Sequence, residues 1–313
     1  MFTKKFKNIS KNDASIAGGK GASLREMISI RIPVPDGFVI LSTTFEKFIK
    51  DSGLDKKIEN IFKSVNQKKL TSINSASAKI KKLITSVDIP KDIKLEVSKD
   101  FKKLKSKFVA VRSSATCEDS ASDAWAGQLE TYLNTTEKDL FDNIKKCWAS
   151  LFTPRAIVYR SEKGLNKIKI SVAVVIQKMI QSDVSGVAFT VHPVTKDKNS
   201  MIIEAGYGLG EAIVSGSITP DSYIIDKKNL SIIDINISNQ ERKIIQKSKT
   251  GRNSWVKVAN SDKEKQKLNG KQIIELAKIC LNIEKHYKFP CDIEWAYEKG
   301  KFYITQSRPI TTL

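Results

Sequence analysis

Cysteine, histidine, arginine and long apolar runs are all scarce in this 313-residue chain. The four cysteines (Cys117, Cys147, Cys280, Cys291) form no CxxC pair and have no metal-ligand spacing. That excludes a disulfide scaffold and a zinc module, and reduced cytosolic thiols are expected. The only histidines, His192 and His286, lie in no nucleophile or metal arrangement, so Ser-His-Asp and Cys-His chemistry is excluded and both are read as structural or surface residues. The longest uninterrupted apolar run, Val172 to Ile176, is far short of the roughly 20 residues of a membrane span. No apolar stretch follows Lys4-Lys5, so no secretory leader is expected and a cytoplasmic location is. With 40% hydrophobic residues and no repeat, disorder and fibrous architectures are excluded.

What the chain has in excess is lysine. Its 54 basic and 34 acidic residues give a net charge of +20, which invites a nucleic-acid reading. Only eight of the basic residues are Arg, however, and the lysines fall on what look like solvated helix faces, such as Lys56-Lys57, Lys81-Lys82 and Lys102-Lys103. Sites that read bases or grip phosphates favour Arg forks interleaved with aromatics. The charge is therefore read as a compositional habit, and a nucleic-acid partner is not expected.

The periodicity predicts an α+β protein of two lobes. Gly18 to Ile30 is helical, and Ile32 to Gly37 is a rigid turn feeding a strand at Phe38 to Leu41. A Lys-rich helical region from Thr43 to about Lys105 breaks near Gly53, Thr71 and Pro90. Phe108 to Val111 reads as a short strand followed by a long polar loop, Arg112 to Gln128, and then a helix around Leu140 to Leu151. Strands follow from Val172 onward, with one long amphipathic helix at Lys271 to Tyr287 and a final hairpin through Glu298-Lys299-Gly300-Lys301. The division is placed at residues 1–195 and 196–313.

Four clusters are candidates for chemistry. Gly18-Gly19-Lys20-Gly21 opens a helix, where backbone N–H groups and a Lys suit an anion, although Ala14 rules out a Walker loop. Val111-Arg112-Ser113-Ser114-Ala115-Thr116, continuing to Gly127 and Thr131, suits a cluster of oxyanions, the alternative being an ordinary capped loop. In the final hairpin, alternation puts Asp292 and Glu294 on one face of one strand and Gln306 and Arg308 on one face of the next. Glu294 and Gln306 could then hold Mg²⁺ while Arg308 meets phosphate. A two-residue turn would set Glu294 opposite Thr305 and split these groups between faces. The site needs a three-residue loop with a Gly300 bulge, or an equivalent distortion, and the alternative is a surface ion pair between Glu294 and Arg308. Finally, Glu204-Ala-Gly-Tyr-Gly-Leu-Gly-Glu211 fails the Rossmann fingerprint and reads as a Gly-rich turn or a mobile loop over a ligand.

Taken in order, the motifs Gly-Gly-Lys-Gly-Ala-Ser-Leu, Ile-Pro-Val-Pro-x-Gly-Phe, Val-Arg-Ser-Ser-Ala-Thr-x-Glu-Asp, Cys-Trp-Ala-Ser-Leu-Phe, Ser-Gly-Val-Ala-Phe-Thr and Asp-Ile-Glu-Trp…Gln-Ser-Arg-Pro resemble the nucleotide-binding domain of the phosphoenolpyruvate synthase (pyruvate, water dikinase) family. Pyruvate phosphate dikinases and rifamycin phosphotransferases share that domain. The resemblance spans about Ser15 to Thr312 and implies a two-lobed ATP-grasp fold with mixed or antiparallel sheets, a helix-rich N-terminal lobe, and ATP and Mg²⁺ as ligands. By motif it implies phosphate contacts from Lys20 and Arg112, a phosphate loop lined by Gly127 and Thr131, and Gln177 beside the nucleoside. It also implies Mg²⁺ on Glu294 and Gln306, with Arg308 stabilising the transferring phosphoryl group. Cys117 and Cys291 replace residues that usually differ within those motifs.

Family enzymes pass the phosphoryl group from ATP to a His on a swivelling domain. No such segment is found here, so that partner is expected on another polypeptide or elsewhere in a longer one. An antibiotic phosphotransferase and a non-catalytic nucleotide-binding or RNA-associated module are the alternatives.

Overall fold

The computed structural model describes residues 1–116, 130–162, 171–247 and 251–310. They form two compact units, one of Met1–Arg25 with Asp36–Met179, the other of Glu26–Pro35 with the chain from Ile180 onward. All strand pairings among the described residues are antiparallel. The α+β class holds, and the first unit is the helix-rich one.

In chain order the first unit contains β1 (Thr3–Lys5), α1 (Ala14–Ser29, its last turn passing into the second unit), β2 (Gly37–Ile40), α2 (Ser42–Asp51), α3 (Leu54–Lys63), α4 (Leu70–Ser86) and α5 (Lys91–Lys103). β3 (Val109–Ala115), β4 (Thr131–Thr135), α6 (Leu140–Ala149), α7 (Pro154–Glu162) and β5 (Val172–Lys178) complete it. The strands run β1-β2-β5-β3-β4. One face, with Phe38, Ile40, Val109, Val111, Val172, Val174 and Ile176, is sealed by Ile80, Ile84, Ile93, Val97, Phe101 and Trp148 of the helices. Trp148 stacks on Phe48 at 4.8 Å between centroids. The helical breaks at left-handed Gly53 (φ 63°) and at Pro90, directly before α5, fall where the punctuation put them, whereas Thr71 lies inside α4 and that break comes earlier, between Lys63 and Leu70.

β3 overturns one expectation. It does not stop at Val111 but continues through Arg112, Ser113 and Ser114 to Ala115, because β5 pairs with it from Val109↔Lys178 to Ala115↔Val172. The hydroxyl residues that mimic a loop are interior to the sheet, with Ser113 and Ser114 both buried. Ser113 donates its N–H and its hydroxyl to the Glu130 carbonyl at 3.1 and 3.0 Å.

The second unit contains β6 (Val184–Phe189), β7 (Ser200–Tyr207), α8 (Glu211–Val214), β8 (Asp221–Asp226), β9 (Ser231–Asn236), β10 (Arg242–Gln246), β11 (Asn253–Lys257), α9 (Gly270–Tyr287), β12 (Cys291–Glu298) and β13 (Lys301–Pro309). A six-stranded sheet has the order β13-β12-β6-β7-β8-β9, and β10 and β11 form a separate hairpin. A division at residue 195 would fall inside this unit, since β6 lies between β7 and β12. The Glu26–Pro35 segment joins it through the Ile304 N–H, which donates to the Pro33 carbonyl at 2.8 Å. α9 opens on a reciprocal capping box between Asn269 and Gln272 and buries Ile273, Leu276, Ala277, Cys280 and Ile283. No helix among the described residues is long and apolar enough to cross a membrane.

An ion pair with both side chains wholly buried, Lys267 Nζ to Asp221 Oδ1 at 2.8 Å, holds the irregular segment before α9 to the start of β8. Asp221 also accepts the Ser238 and Lys267 N–H groups, each at 3.0 Å, and the Tyr223 hydroxyl at 2.8 Å. Lys267 Nζ donates to the Ser238 carbonyl at 2.6 Å. Burial, and then the neighbouring carboxylate, push the Tyr223 hydroxyl pKa up, so it stays a donor. Desolvating the two charges costs several kcal/mol, which these bonds offset. Lys267→Met leaves the carboxylate uncompensated and should lower stability by about 3–5 kcal/mol in urea unfolding followed by circular dichroism. A loss below 1 kcal/mol would mean that water reaches the pair.

Candidate functional site

In the first unit, the sheet face turned away from the helices in that core carries the polar candidates. Arg112 shares this face with Ala110 and Ser114 by strand alternation, and Gln177 joins it by pairing with Ala110. Thr131 lies directly opposite Arg112 on β4 and is exposed. Arg112 and Gln177 are buried, with exposures of 8% and 2%, and Arg112 Nη1 donates to Gln177 Oε1 at 3.2 Å. α1 breaks at Gly18 (φ 70°, ψ 166°), so its continuous helix starts with Gly19 and Lys20. Gly18 is held there by contact: a Cβ would meet Ser114 Oγ at 2.3 Å and the Ser114 carbonyl oxygen at 2.7 Å. The Ser114 hydroxyl accepts the Lys20 N–H at 3.1 Å, so a strand residue caps the helix start. Lys20, Arg112, Thr131 and Gln177 are thus gathered around one sheet face, while Gly127 lies outside the described residues.

In the second unit, α9 packs against one sheet face and the other carries the polar candidates among apolar residues such as Val187 and Ile202. The β12–β13 connection is the two-residue turn, with Glu298↔Lys301 paired and both Lys299 (φ 50°) and Gly300 (φ 79°) left-handed. The bulge required by the site is therefore not in the turn. It lies in the strand, where pairing jumps from Trp295↔Ile304 to Glu294↔Gln306 and leaves Thr305 as the extra residue. Thr305 donates its hydroxyl to the Glu294 carbonyl at 3.2 Å. Glu294 and Gln306 are consequently opposite one another on the same face. Two residues along, Asp292 faces Arg308 and pairs with it: Arg308 Nε and Nη2 both lie 2.7 Å from Asp292 Oδ2.

The same face holds a carboxylate that the sequence reading did not select. Glu294 pairs with Val187 and Val187 with Glu204, so Glu204 of β7 stands in the Glu294 row. Burial, reinforced by the charge of Asp292, raises the Glu204 pKa. Burial likewise raises that of Asp292, opposed by Arg308 and assisted by Glu294. The signal lay in the Glu204–Glu211 motif, where the glycines drew attention away from the strand residue. No group of three or more His, Cys, Asp or Glu side chains among the described residues is arranged to hold a metal ion by itself. Glu294 and Gln306 offer two oxygen donors, a set that would be completed by ligand or water oxygens.

The Gly-rich segment is not a loose loop. Gly208 (φ 88°) packs against β10, where a Cβ would meet the Ile244 carbonyl oxygen at 2.4 Å, and its own carbonyl accepts the Ser182 and Ser185 hydroxyls. Leu209 N–H donates to the Ile244 carbonyl, and Asn253 donates to Glu211 at 2.8 Å. Both histidines hold structure: His192 Nδ1 accepts the Val194 and Thr195 N–H groups, and His286 pairs with Glu26 at 3.0 Å. Cys147, Cys280 and Cys291 are buried, unbridged thiols whose pKa values burial pushes up.

Residues 14–313 match the family model of the pyruvate phosphate dikinase AMP/ATP-binding domain. The chain belongs to this family. It is 46% identical over 312 residues to a probable phosphoenolpyruvate synthase of Methanocaldococcus jannaschii, covering 97% of this chain and 26% of that one. It is 40% identical to the phosphoenolpyruvate synthase of Pyrococcus furiosus, covering 100% and 44%, and 38% identical to the rifampicin phosphotransferase of Bacillus subtilis, covering 97% and 35%. This AMP/ATP-binding domain therefore spans less than half the length of these relatives.

Two outcomes follow for the domain. Gly18→Ala must displace Ser114 and adopt a left-handed backbone, so it should lower the unfolding temperature, with an energetic cost of about 1–3 kcal/mol; an unchanged melting curve would refute the close contact. Because the folded protein holds Glu204 above its ordinary range, the group's stabilising contribution is present at low pH and is lost as pH rises through that folded value. Without divalent cations, Glu204→Gln should match wild type at pH 4 and melt higher at pH 7. Equal melting at both pH values would contradict this.

Proposed function

We propose that this domain holds ATP and Mg²⁺ for a phosphotransferase of the pyruvate, water dikinase type, in an ATP-grasp arrangement, and donates a phosphoryl group to a histidine on a domain outside these residues. The observation that carries the reading is the Thr305 bulge. It sets Glu294 opposite Gln306 with Arg308 one step along the same face, in a chain that matches an AMP/ATP-binding domain.

The donor set fits Mg²⁺. This ion takes few protein carboxylates and completes its shell with phosphate oxygens and water, and a face whose carboxylates are already raised in pKa favours a cation. Glu294 and Gln306 would hold it, and bound there it would neutralise charge on the phosphate oxygens. Arg112 and Lys20, with Gly127 and Thr131, would receive the phosphates, Gln177 would lie beside the nucleoside, and Arg308 would stabilise the transferring group. Lys20 brings a helix start and a point charge, and Arg112 a rigid fork. Catalysis on this reading is positioning plus charge stabilisation. The buried, unbridged thiols support a reducing, cytoplasmic setting.

A relative named phosphoenolpyruvate synthase and one named rifampicin phosphotransferase share this domain, so on this reading the final acceptor is set elsewhere in those longer proteins. Calorimetry should show ATP binding that Mg²⁺ strengthens, with Glu294→Ala abolishing the Mg²⁺ dependence. A folded wild type that binds no ATP would overturn the reading. Formation of phosphoenolpyruvate from ATP and pyruvate by these residues alone would overturn the external histidine.

A further inference from the structure

The Arg112–Gln177 contact has a directional consequence. A glutamine amide has one acceptor and two donors, and here Oε1 is engaged by Arg112 Nη1 at 3.2 Å. Nε2 is buried and has no hydrogen-bond partner among the described residues, in a side chain only 2% exposed. Leaving a buried donor unmet is costly, and β5 fixes its backbone on both sides, through Gly37↔Gln177 and Ala110↔Gln177. The guanidinium is constrained in turn, since one of its donors is committed to a side chain anchored in the neighbouring strand.

We infer that Gln177 is a positioning residue for Arg112 and that the same contact, by fixing which end of the amide lies toward Arg112, leaves its Nε2 donors to read the ligand. Gln177 Oε1 orients the guanidinium toward a phosphate chain, and Nε2 is left to meet a hydrogen-bond acceptor on the nucleoside. Grip on the phosphates and recognition of the nucleoside are then coupled through one hydrogen bond. The ligand class is a nucleotide presenting an acceptor, such as a ring nitrogen or a carbonyl or sugar oxygen, close to its phosphates. This rests on the proposed nucleotide site and adds to it a role for Gln177 toward a group that it does not share with the base.

Inorganic tripolyphosphate, a phosphate chain with no nucleoside, separates the two roles. Gln177→Met should weaken binding of both ATP and tripolyphosphate, the latter by about tenfold, the scale of one hydrogen bond to a charged group. In an Arg112→Met background, Gln177→Met should change tripolyphosphate binding no further. If Gln177→Met weakens ATP alone and leaves tripolyphosphate untouched, Gln177 is a nucleoside contact only and the positioning role fails. Wild type binding neither ligand would instead remove the nucleotide site itself. Should the methionine variant not fold, the Gln177 side-chain amide signals of ¹⁵N-labelled wild type decide the matter. They should shift with ATP and, through Arg112, to a smaller extent with tripolyphosphate. Silence with tripolyphosphate would again refute the coupling.

Discussion

Each of the two large sheets packs one face against its own helices, and the candidate side chains of each unit are organised by that constraint. An antiparallel sheet needs one apolar face against a core, while its other face is free to carry charge. In the first unit the helices seal the face of Val111 and Ile176, so Arg112 and Gln177 are left on the opposite one. In the second, α9 takes the face of Ile293, so Asp292, Glu294, Gln306 and Arg308 share the other. The strands commit their larger apolar side chains to one side and carry the candidate polar groups on the other, where Arg112 and Gln177 are themselves buried.

Such a division is only as good as the register, because a slip of one residue moves a side chain through the sheet. The β12–β13 hairpin shows how narrow the margin is. A regular ladder from the Lys299-Gly300 turn would pair Glu294 with Thr305 and send Gln306 into the apolar layer beside Trp295 and Phe302. One extra residue in β13 reverses this for every position beyond it. Bulges re-aim side chains near sites, and this one places an amide and a guanidinium opposite two carboxylates. The tight turn and the bulge are separate devices: the first fixes how the hairpin starts, the second which face its outer half presents.

Much of this was legible from residue patterns. The 3.6 period gave α9 almost to the residue, and the β12 alternation placed Asp292 and Glu294 together correctly. Three things were not legible, each for a physical reason. β3 was cut short because Arg-Ser-Ser has loop composition, and only pairing to β5 reveals that the serines are interior. The bulge could be required but not located, since turn chemistry reports on Lys299-Gly300 and not on Thr305. Glu204 was overlooked because its place in the Glu294 row depends on β6 lying between β7 and β12, a non-local pairing with no local signal.

The net charge of +20 is carried differently by lysine and by arginine. Lysines supply most of it, and among the described residues only Lys145 and Lys267 are buried, both committed to internal partners. The scarce arginines behave differently. Arg25 donates to the Ile9 carbonyl, Arg112 to Gln177, Arg308 grips Asp292, and Arg242 lies over the Trp255 ring at 4.3 Å. A planar fork holds a direction that a flexible ammonium cannot. Arg112 and Arg308, on the candidate faces of the two sheets, each lie beside an oxygen-bearing side chain that holds the guanidinium in one direction. The same polar face of the second unit carries Glu204, Asp292 and Glu294 as a local excess of negative charge in a strongly basic chain. On the proposed reading, a phosphate chain that arrives with a divalent cation would satisfy both these carboxylates and the Arg308 guanidinium.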